Sequence, residues 1–195
     1  MRHTKVLAAF ALAGLLGACS TGMAANSTGS TMSMADPMVG GAPMYANKNI
    51  VQNAVNSQDN TTLVAAVKAA GLVSVLEGPG PFTVFAPTNE AFNALPAGTV
   101  NTLLKPANKG TLTKILTYHV VPGKLDFAAL QSMIQAGNGK AVLKTVEGGT
   151  LTAMMNGPRN IEIVDAKGDV AQISTYDVYQ SNGVIQVIDK VLMPG

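Results

Sequence analysis

The spacing of the apolar positions changes near residue 140 of the 195-residue chain. In the segment 61–70, Leu63, Val64 and Val67 recur at intervals of three and four residues, which places them on one face of a helix. Asp59 or Asn60 can cap this helix, and Gly71 ends it. Comparable patterns predict short helices over 89–95 and 99–104 and longer helices over 109–118 and 127–136.

Beyond residue 140 the apolar residues come in short runs that are separated by turn residues. The runs are rich in β-branched side chains, and the separators are rich in glycine, asparagine and proline, which is typical of strands joined by turns. Asn182-Gly183 predicts a type I′ turn. Helices followed by strands indicate an α+β fold. The predicted strands cover residues 82–86, 141–146, 151–156, 160–165, 169–175 and 183–192.

The first eighteen residues have the pattern of a bacterial export signal. Arg2 and Lys5 give a positive start, and the uncharged stretch 6–18 is shorter than the roughly 20 residues that span a bilayer. Residues 16–19, LGAC, resemble the lipobox of bacterial lipoproteins. That resemblance implies removal of residues 1–18 and acylation of Cys19. The alternative is a plain secretory signal, cut near residues 23–25, which would release the protein.

Residues 19–47 are predicted to form a flexible linker, and residues 48–195 a single folded domain. The linker is rich in Ser, Thr, Gly, Ala, Pro and Met and shows neither a helical nor a strand period. Met32-Ser33-Met34 offers two thioethers, which are soft ligands suited to Cu(I). The alternative is that these methionines only fill a linker and bind no metal.

Charge and cysteine content exclude several classes of function. Removing Arg2 and Lys5 with the signal leaves eleven basic and eleven acidic residues, and the bases are scattered singly, so we expect no nucleic-acid partner. Cys19 is the only cysteine, which excludes an internal disulfide and a thiolate cluster. Without His3, His119 is the one imidazole of the mature chain, so motifs that need two histidines are excluded. We expect no cofactor.

Three motifs, in order along the chain, resemble those of the fasciclin-like (FAS1) family. Residues 83–92, TVFAPTNEAF, resemble its first signature block, residues 118–123, YHVVPG, its Tyr-His segment, and residues 183–194, GVIQVIDKVLMP, its second block. The resemblance covers about residues 48–194. It implies a wedge-like α+β fold in which strands in two sheets pack with several helices. Gln186 stands where many family members carry His.

The resemblance implies an adhesion or interaction module, and we expect no catalytic activity. In animal members the Tyr-His segment is connected with receptor binding, which makes Tyr118 and His119 the candidate binding residues. The alternative is a structural role for a half-buried His119 at a helix end. A triad of His119 with Ser174 or Ser181 and Asp177 can be drawn, but no nucleophile-elbow motif surrounds either serine.

Together these features predict a monomeric binding module that is lipid-anchored at the bacterial cell envelope, in the outer membrane or the periplasm. Its partner is expected to be an unidentified protein or glycan, and the membrane is contacted through the lipid anchor. A second hypothesis is carriage of an apolar small molecule or a metal ion in the periplasm. The apolar composition and the methionine-rich linker motivate this second hypothesis. A secreted protein is the alternative localisation.

Overall fold

The computed structural model describes residues 36–195. The predicted signal sequence, Cys19 and Met32-Ser33-Met34 lie outside the described residues. Within 36–195 no helix is long and apolar enough to cross a membrane. The helices of this part are α1 (Ile50–Ala54), α2 (Thr61–Ala70), α3 (Val73–Leu76), α4 (Asn89–Asn93), α5 (Thr99–Leu103), α6 (Lys109–Tyr118) and α7 (Phe127–Ala136). The strands are β1 (Met38–Val39), β2 (Ala42–Pro43), β3 (Phe82–Pro87), β4 (Val120–Pro122), β5 (Lys140–Lys144), β6 (Thr150–Met155), β7 (Ile161–Val164), β8 (Val170–Gln180) and β9 (Gly183–Ile188).

The three ten-residue helices α2, α6 and α7 cover the residues that the sequence predicts. Gly71 ends α2 in the left-handed conformation, with φ of 73°, which a residue without a Cβ adopts at little cost. Asp126 begins α7, and its side chain accepts a hydrogen bond from the Ala129 N–H at 2.9 Å. Local capping chemistry therefore fixes these boundaries.

The start of α2 is capped from a distant part of the chain. The Asn60 side chain does not bond the helix and donates instead to the Pro87 carbonyl at 3.1 Å. The Oδ1 of Asn89 accepts the Thr62 N–H at 3.0 Å. Asn60 is the N-cap residue by position, but the predicted cap by an Asp59 or Asn60 side chain is wrong, because tertiary contacts redirect the Asn60 side chain.

Strands β3 to β9 are hydrogen-bonded in the order β4-β3-β9-β8-β7-β6-β5. The pair β3 and β9 is parallel, and the other pairs are antiparallel. The long strand β8 joins two halves, because its first residues pair with β7 and the rest pair with β9 across two register shifts. The strands thus form two halves that share β8, and the α+β expectation is confirmed.

Alternate side chains of β3 point into two hydrophobic cores. Val84 and Ala86 lie in the first core with residues of α2 and α6, whereas Phe85 lies in the second with α7 and strands β5 to β8. All six residues of β9 are buried, as expected of a strand that is covered on both faces. The two strands therefore form the partition between the cores.

The predicted linker is wrong over residues 38–44, which fold against the domain. Strands β1 and β2 form a small hairpin, in which Val39 is buried and Met44 is only 2% exposed. The Gln58 N–H donates to the Gly40 carbonyl at 3.1 Å. Glycine and proline favour a tight hairpin as much as a flexible chain, so composition could not separate the two. We call residues 37–45 the N-terminal strap.

Substituting Gly40 with alanine is expected to release this strap. Gly40 has φ of 57°, and an added Cβ would lie 2.5 Å from both the Asp59 nitrogen and the Ser57 Oγ. Gly41 also has a positive φ, of 74°, but no atom lies within 4 Å of its added Cβ. We expect limited proteolysis to cut the strap several-fold faster in Gly40→Ala than in the control Gly41→Ala. Equal cleavage rates would show that backbone strain alone matters and that the packing of Gly40 does not.

The turn between β8 and β9 differs from the predicted type I′ turn. Its central residues, Ser181 and Asn182, both have negative φ, whereas a type I′ turn needs two positive values. The Asn182 amide donates to the carbonyls of Leu76 and Gly78 at 2.7 and 3.1 Å, and its Oδ1 accepts the Ile50 N–H at 3.1 Å. Long-range hydrogen bonds therefore set the conformation of this turn.

Candidate functional site

His119 follows α6 directly and lies in the interior, 2% exposed. Its Nδ1 is 2.8 Å from the Ile115 carbonyl, and its Nε2 accepts the Leu192 N–H at 2.9 Å. A carbonyl can only accept, so Nδ1 carries the proton and the ring is the neutral tautomer. The imidazole therefore ties the end of α6 to the C-terminal segment.

Burial lowers the pKa of His119 to about 4, because a charged ring would lose its hydration in the core. The Ile115 carbonyl and the charge of Asp165 oppose this shift but do not outweigh it. The ring is therefore neutral near pH 7, as its hydrogen bond from Leu192 requires.

Tyr118 is 1% exposed, and its hydroxyl joins the start of β6 to the connection between β7 and β8. The hydroxyl donates to the Thr150 carbonyl at 2.7 Å and accepts the Ala166 N–H at 2.9 Å. Burial raises the pKa of Tyr118, and the bond from Ala166 partly offsets the shift. A Cβ on Gly149 would lie 2.9 Å from the tyrosine ring, so the glycine makes room for it.

Both candidate binding residues, Tyr118 and His119, are therefore interior residues whose polar side-chain atoms form hydrogen bonds within the domain. Every buried side-chain nitrogen and oxygen among residues 36–195 has a hydrogen-bond partner. A structural role, which the sequence analysis gives as the alternative for His119, accounts for each polar side-chain atom of both Tyr118 and His119. Direct contact of either side chain with a partner stays a prediction. Cys19, the candidate lipidation site, lies outside the described residues.

Gln186 and Asp177 form a second buried connection. The Gln186 Nε2 donates to the Asp177 Oδ1 and to the Leu125 carbonyl, each at 3.0 Å, and its Oε1 accepts the Asp177 N–H at 3.1 Å. The Asp177 Oδ1 also accepts the Phe127 N–H at 2.7 Å. Asp177 has φ of 58° at the irregular part of β8. These two side chains join β8 and β9 to the start of α7.

Sequence reasoning did not find this connection, although one signal was present. Gln186 is an amide within an otherwise apolar strand, and a fully buried amide needs internal partners. Asp177 is not identifiable from the sequence as that partner, because the bulge that orients its side chain depends on the pairing of β8 with β9.

Substituting Gln186 with leucine is expected to lower the free energy of unfolding by about 1–3 kcal/mol, because it leaves the Asp177 N–H and the Leu125 carbonyl without their partner. The control is Gln172→Leu, at an exposed position of β8, with an expected change within about 0.5 kcal/mol. Urea unfolding followed by circular dichroism measures both. Equal stability of the two variants would show that the Gln186–Asp177 connection contributes nothing to the free energy of unfolding.

The structure does not assemble the triad that can be drawn from the sequence. Both ring nitrogens of His119 are bonded to backbone groups, and the Ser174 hydroxyl donates to the Val187 carbonyl at 3.2 Å. Asp177 is occupied by the Phe127 N–H and by Gln186. Within residues 36–195 no hydrogen bond links His119 to either serine or to Asp177.

An apolar cavity of about 70 Å³ lies between the strap, α2, α3 and the β3–β9 pair. Val39 and Met44 of the strap form part of its wall, together with Leu63 and Val67 of α2. Val75 of α3 also borders the cavity and is 49% exposed. The sequence did not predict this cavity, because it depends on how the strap packs.

Residues 58–194 match the fasciclin domain family, so the chain belongs to that family. The fold agrees with a solved relative, the FAS1 domain pair from the insect cell adhesion molecule Fasciclin I. That structure aligns with a TM-score of 0.53 at 22% identity, over 68% of this chain and 45% of that one. The chain thus spans less than half of the two-domain structure. Its fold and the recognition made from the three motifs are confirmed.

Two relatives show how far the similarity extends along the chain. Protein sll1483 of Synechocystis is 48% identical over 147 residues, which are 74% of this chain and 73% of the relative. The cell surface glycolipoprotein MPB83 of Mycobacterium bovis is 32% identical over 222 aligned positions, covering 96% of this chain and 93% of the relative. The family therefore includes proteins of the cell surface.

Proposed function

We propose that the protein is a binding module, held at the bacterial cell envelope by a lipid on Cys19, that mediates attachment through protein or glycan contacts. One observation carries the proposal. The side chains that could act in acid–base catalysis, His119 and Asp177, form hydrogen bonds that hold the backbone in place. His119 bonds Ile115 and Leu192, and Asp177 bonds the start of α7. Such a domain offers its outer surface for recognition.

The names of the relatives support both the location and the role. One relative is called a cell surface glycolipoprotein and aligns over nearly the whole chain, including the part with the lipobox-like LGAC. The relative of known structure is called a cell adhesion molecule. Three acyl chains, the usual modification of a bacterial lipoprotein, would make anchoring stable, whereas one chain would bind only marginally and reversibly.

A comparison of attachment tests the adhesive role. We expect a strain that lacks the protein to attach less to surfaces and to form less biofilm, and the wild-type protein to restore both. Cys19→Ser, which removes the lipid acceptor, should restore neither although the domain still folds. Attachment that is the same with and without the protein would contradict the proposed role.

The apolar cavity supports a second candidate function, carriage of an apolar small molecule. Its volume of about 70 Å³ is roughly half of the 150 Å³ that admits benzene in a dry cavity. A carried ligand would therefore have to displace part of the wall, of which the strap forms one side. Native mass spectrometry of protein from its own host tests this. A stoichiometric apolar ligand that is lost on Met44→Trp would favour carriage, and ligand-free protein would count against it.

The carried ligand could instead be a metal ion. Residues 36–195 contain no group of three or more His, Cys, Asp or Glu side chains that could hold one. The candidate Cu(I) ligands Met32 and Met34 lie outside the described residues. The same mass measurement detects a bound copper ion, so it tests the metal and the apolar ligand together.

A further inference from the structure

A cleft of about 250 Å³ lies beside α4 and α5. Thr62 borders it from α2, and Asn93 and Asn101 border it from α4 and α5. The loop between α4 and α5 contributes Leu95 and Pro96. None of the residues that line this cleft carries a charge.

The two asparagines of the cleft differ from those that hold the fold together. The side chains of Asn60, Asn89 and Asn182 each bond backbone groups of distant segments. Asn93 and Asn101 are exposed, and within residues 36–195 neither amide donates to or accepts from another group. Their hydrogen-bonding capacity is therefore available to a ligand.

Two backbone hydrogen bonds stabilise the loop between α4 and α5 that borders the cleft. The Leu95 N–H donates to the Phe92 carbonyl at 3.2 Å, and the Thr99 N–H donates to the Pro96 carbonyl at 3.0 Å. Phe92 itself is buried in the first core beneath the loop. A preformed site loses little conformational entropy on binding.

We propose that this cleft binds a neutral saccharide unit, which deepens the proposed attachment function and rests on it. An amide both donates and accepts, so Asn93 and Asn101 suit the hydroxyl groups of a sugar. Pro96 is exposed and gives a small apolar surface beside the two amides. An anionic sugar would find no counter-charge here. The cleft volume of about 250 Å³ lies just below the roughly 300 Å³ at which pockets for drug-sized ligands begin, which suits a small ligand such as a single sugar unit.

An array of neutral and acidic glycans, probed with the purified full-length protein, tests the inference. We expect binding to neutral glycans only. Asn93→Ala and Asn101→Ala should each weaken it by about tenfold, because each removes hydrogen bonds to the sugar. Ala97→Phe, which fills the cleft without removing a polar group, should abolish it. The matched control is Asn47→Ala, an exposed asparagine outside the cleft, which should bind as the wild type does.

Binding restricted to acidic glycans, no binding to any glycan, or unchanged binding by the cleft variants would each overturn the inference. Any of these results would leave the attachment function standing if cells still need the protein to attach. Conversely, the protein could bind glycans through the cleft although cells attach equally well without it. That result would contradict the proposed attachment function and support the glycan site. Circular dichroism shows whether each variant is folded.

Discussion

Replacing Phe85 with alanine is expected to lower the free energy of unfolding by about 3–5 kcal/mol. The side chain is fully buried in the middle of β3 and contributes to the second core. Removing the ring leaves a cavity that β3 cannot close, because its backbone is held by β9 on one side and β4 on the other. The total free energy of unfolding of a domain is about 5–15 kcal/mol. This one substitution therefore removes a large part of the stability of the domain.

Urea unfolding, monitored by circular dichroism, measures the loss for Phe85→Ala. The control is Val142→Ala on β5, where the side chain is 66% exposed and truncation should change the stability by no more than about 0.5 kcal/mol. A loss for Phe85→Ala that is no larger than for this control would contradict the assignment of Phe85 to a packed core.

Acidification from pH 6.5 to pH 4 is expected to remove about 3 kcal/mol of stability through His119 alone. The pKa of this histidine is about 4 in the folded protein and about 6.5 in the unfolded chain. Between these values the unfolded chain binds more protons, so stability falls as the pH is lowered. Above pH 6.5 the neutral ring contributes its full stabilisation. Well below pH 4 both states are protonated, and no further loss arises from this group.

The comparison with His119→Gln isolates this effect from the carboxylates, which titrate in both proteins. The variant cannot gain a proton at this position, and His3 is present in both proteins. The difference in unfolding free energy between wild type and variant should therefore shrink by about 3 kcal/mol from pH 7 to pH 4. A difference that stays constant over this range would show that the ring is not buried in its neutral form.

Local chemistry accounts for the parts of the fold that the sequence predicts well. The α7 boundaries follow from the cap at Asp126 and the helical spacing of its apolar residues. The end of α2 follows from Gly71. Phe85 is recognisable as core because it lies in a short aromatic and β-branched run. In each case the determinant lies within a few residues of the element that it fixes.

The features that the sequence misses depend on contacts between distant segments. The strap is held by Gln58 and by packing of Met44, which its Gly- and Pro-rich composition does not reveal. The extension of β8 to Gln180 requires its pairing with β9 across two register shifts. The Asn93–Asn101 cleft exists only because α2, α4 and α5 converge. The motif that points to Tyr118 and His119 marks residues that build the fold.

Analysis of the native N-terminus and its cellular fraction tests most directly whether the domain is displayed at an envelope. We expect protein from its own host to sediment with membranes, to partition into detergent, and to have a mature chain that begins at an acylated Cys19. In Cys19→Ser the protein should leave the membrane fraction. A native chain that retains Met1 and stays in the soluble cytosolic fraction would contradict display of the domain at an envelope.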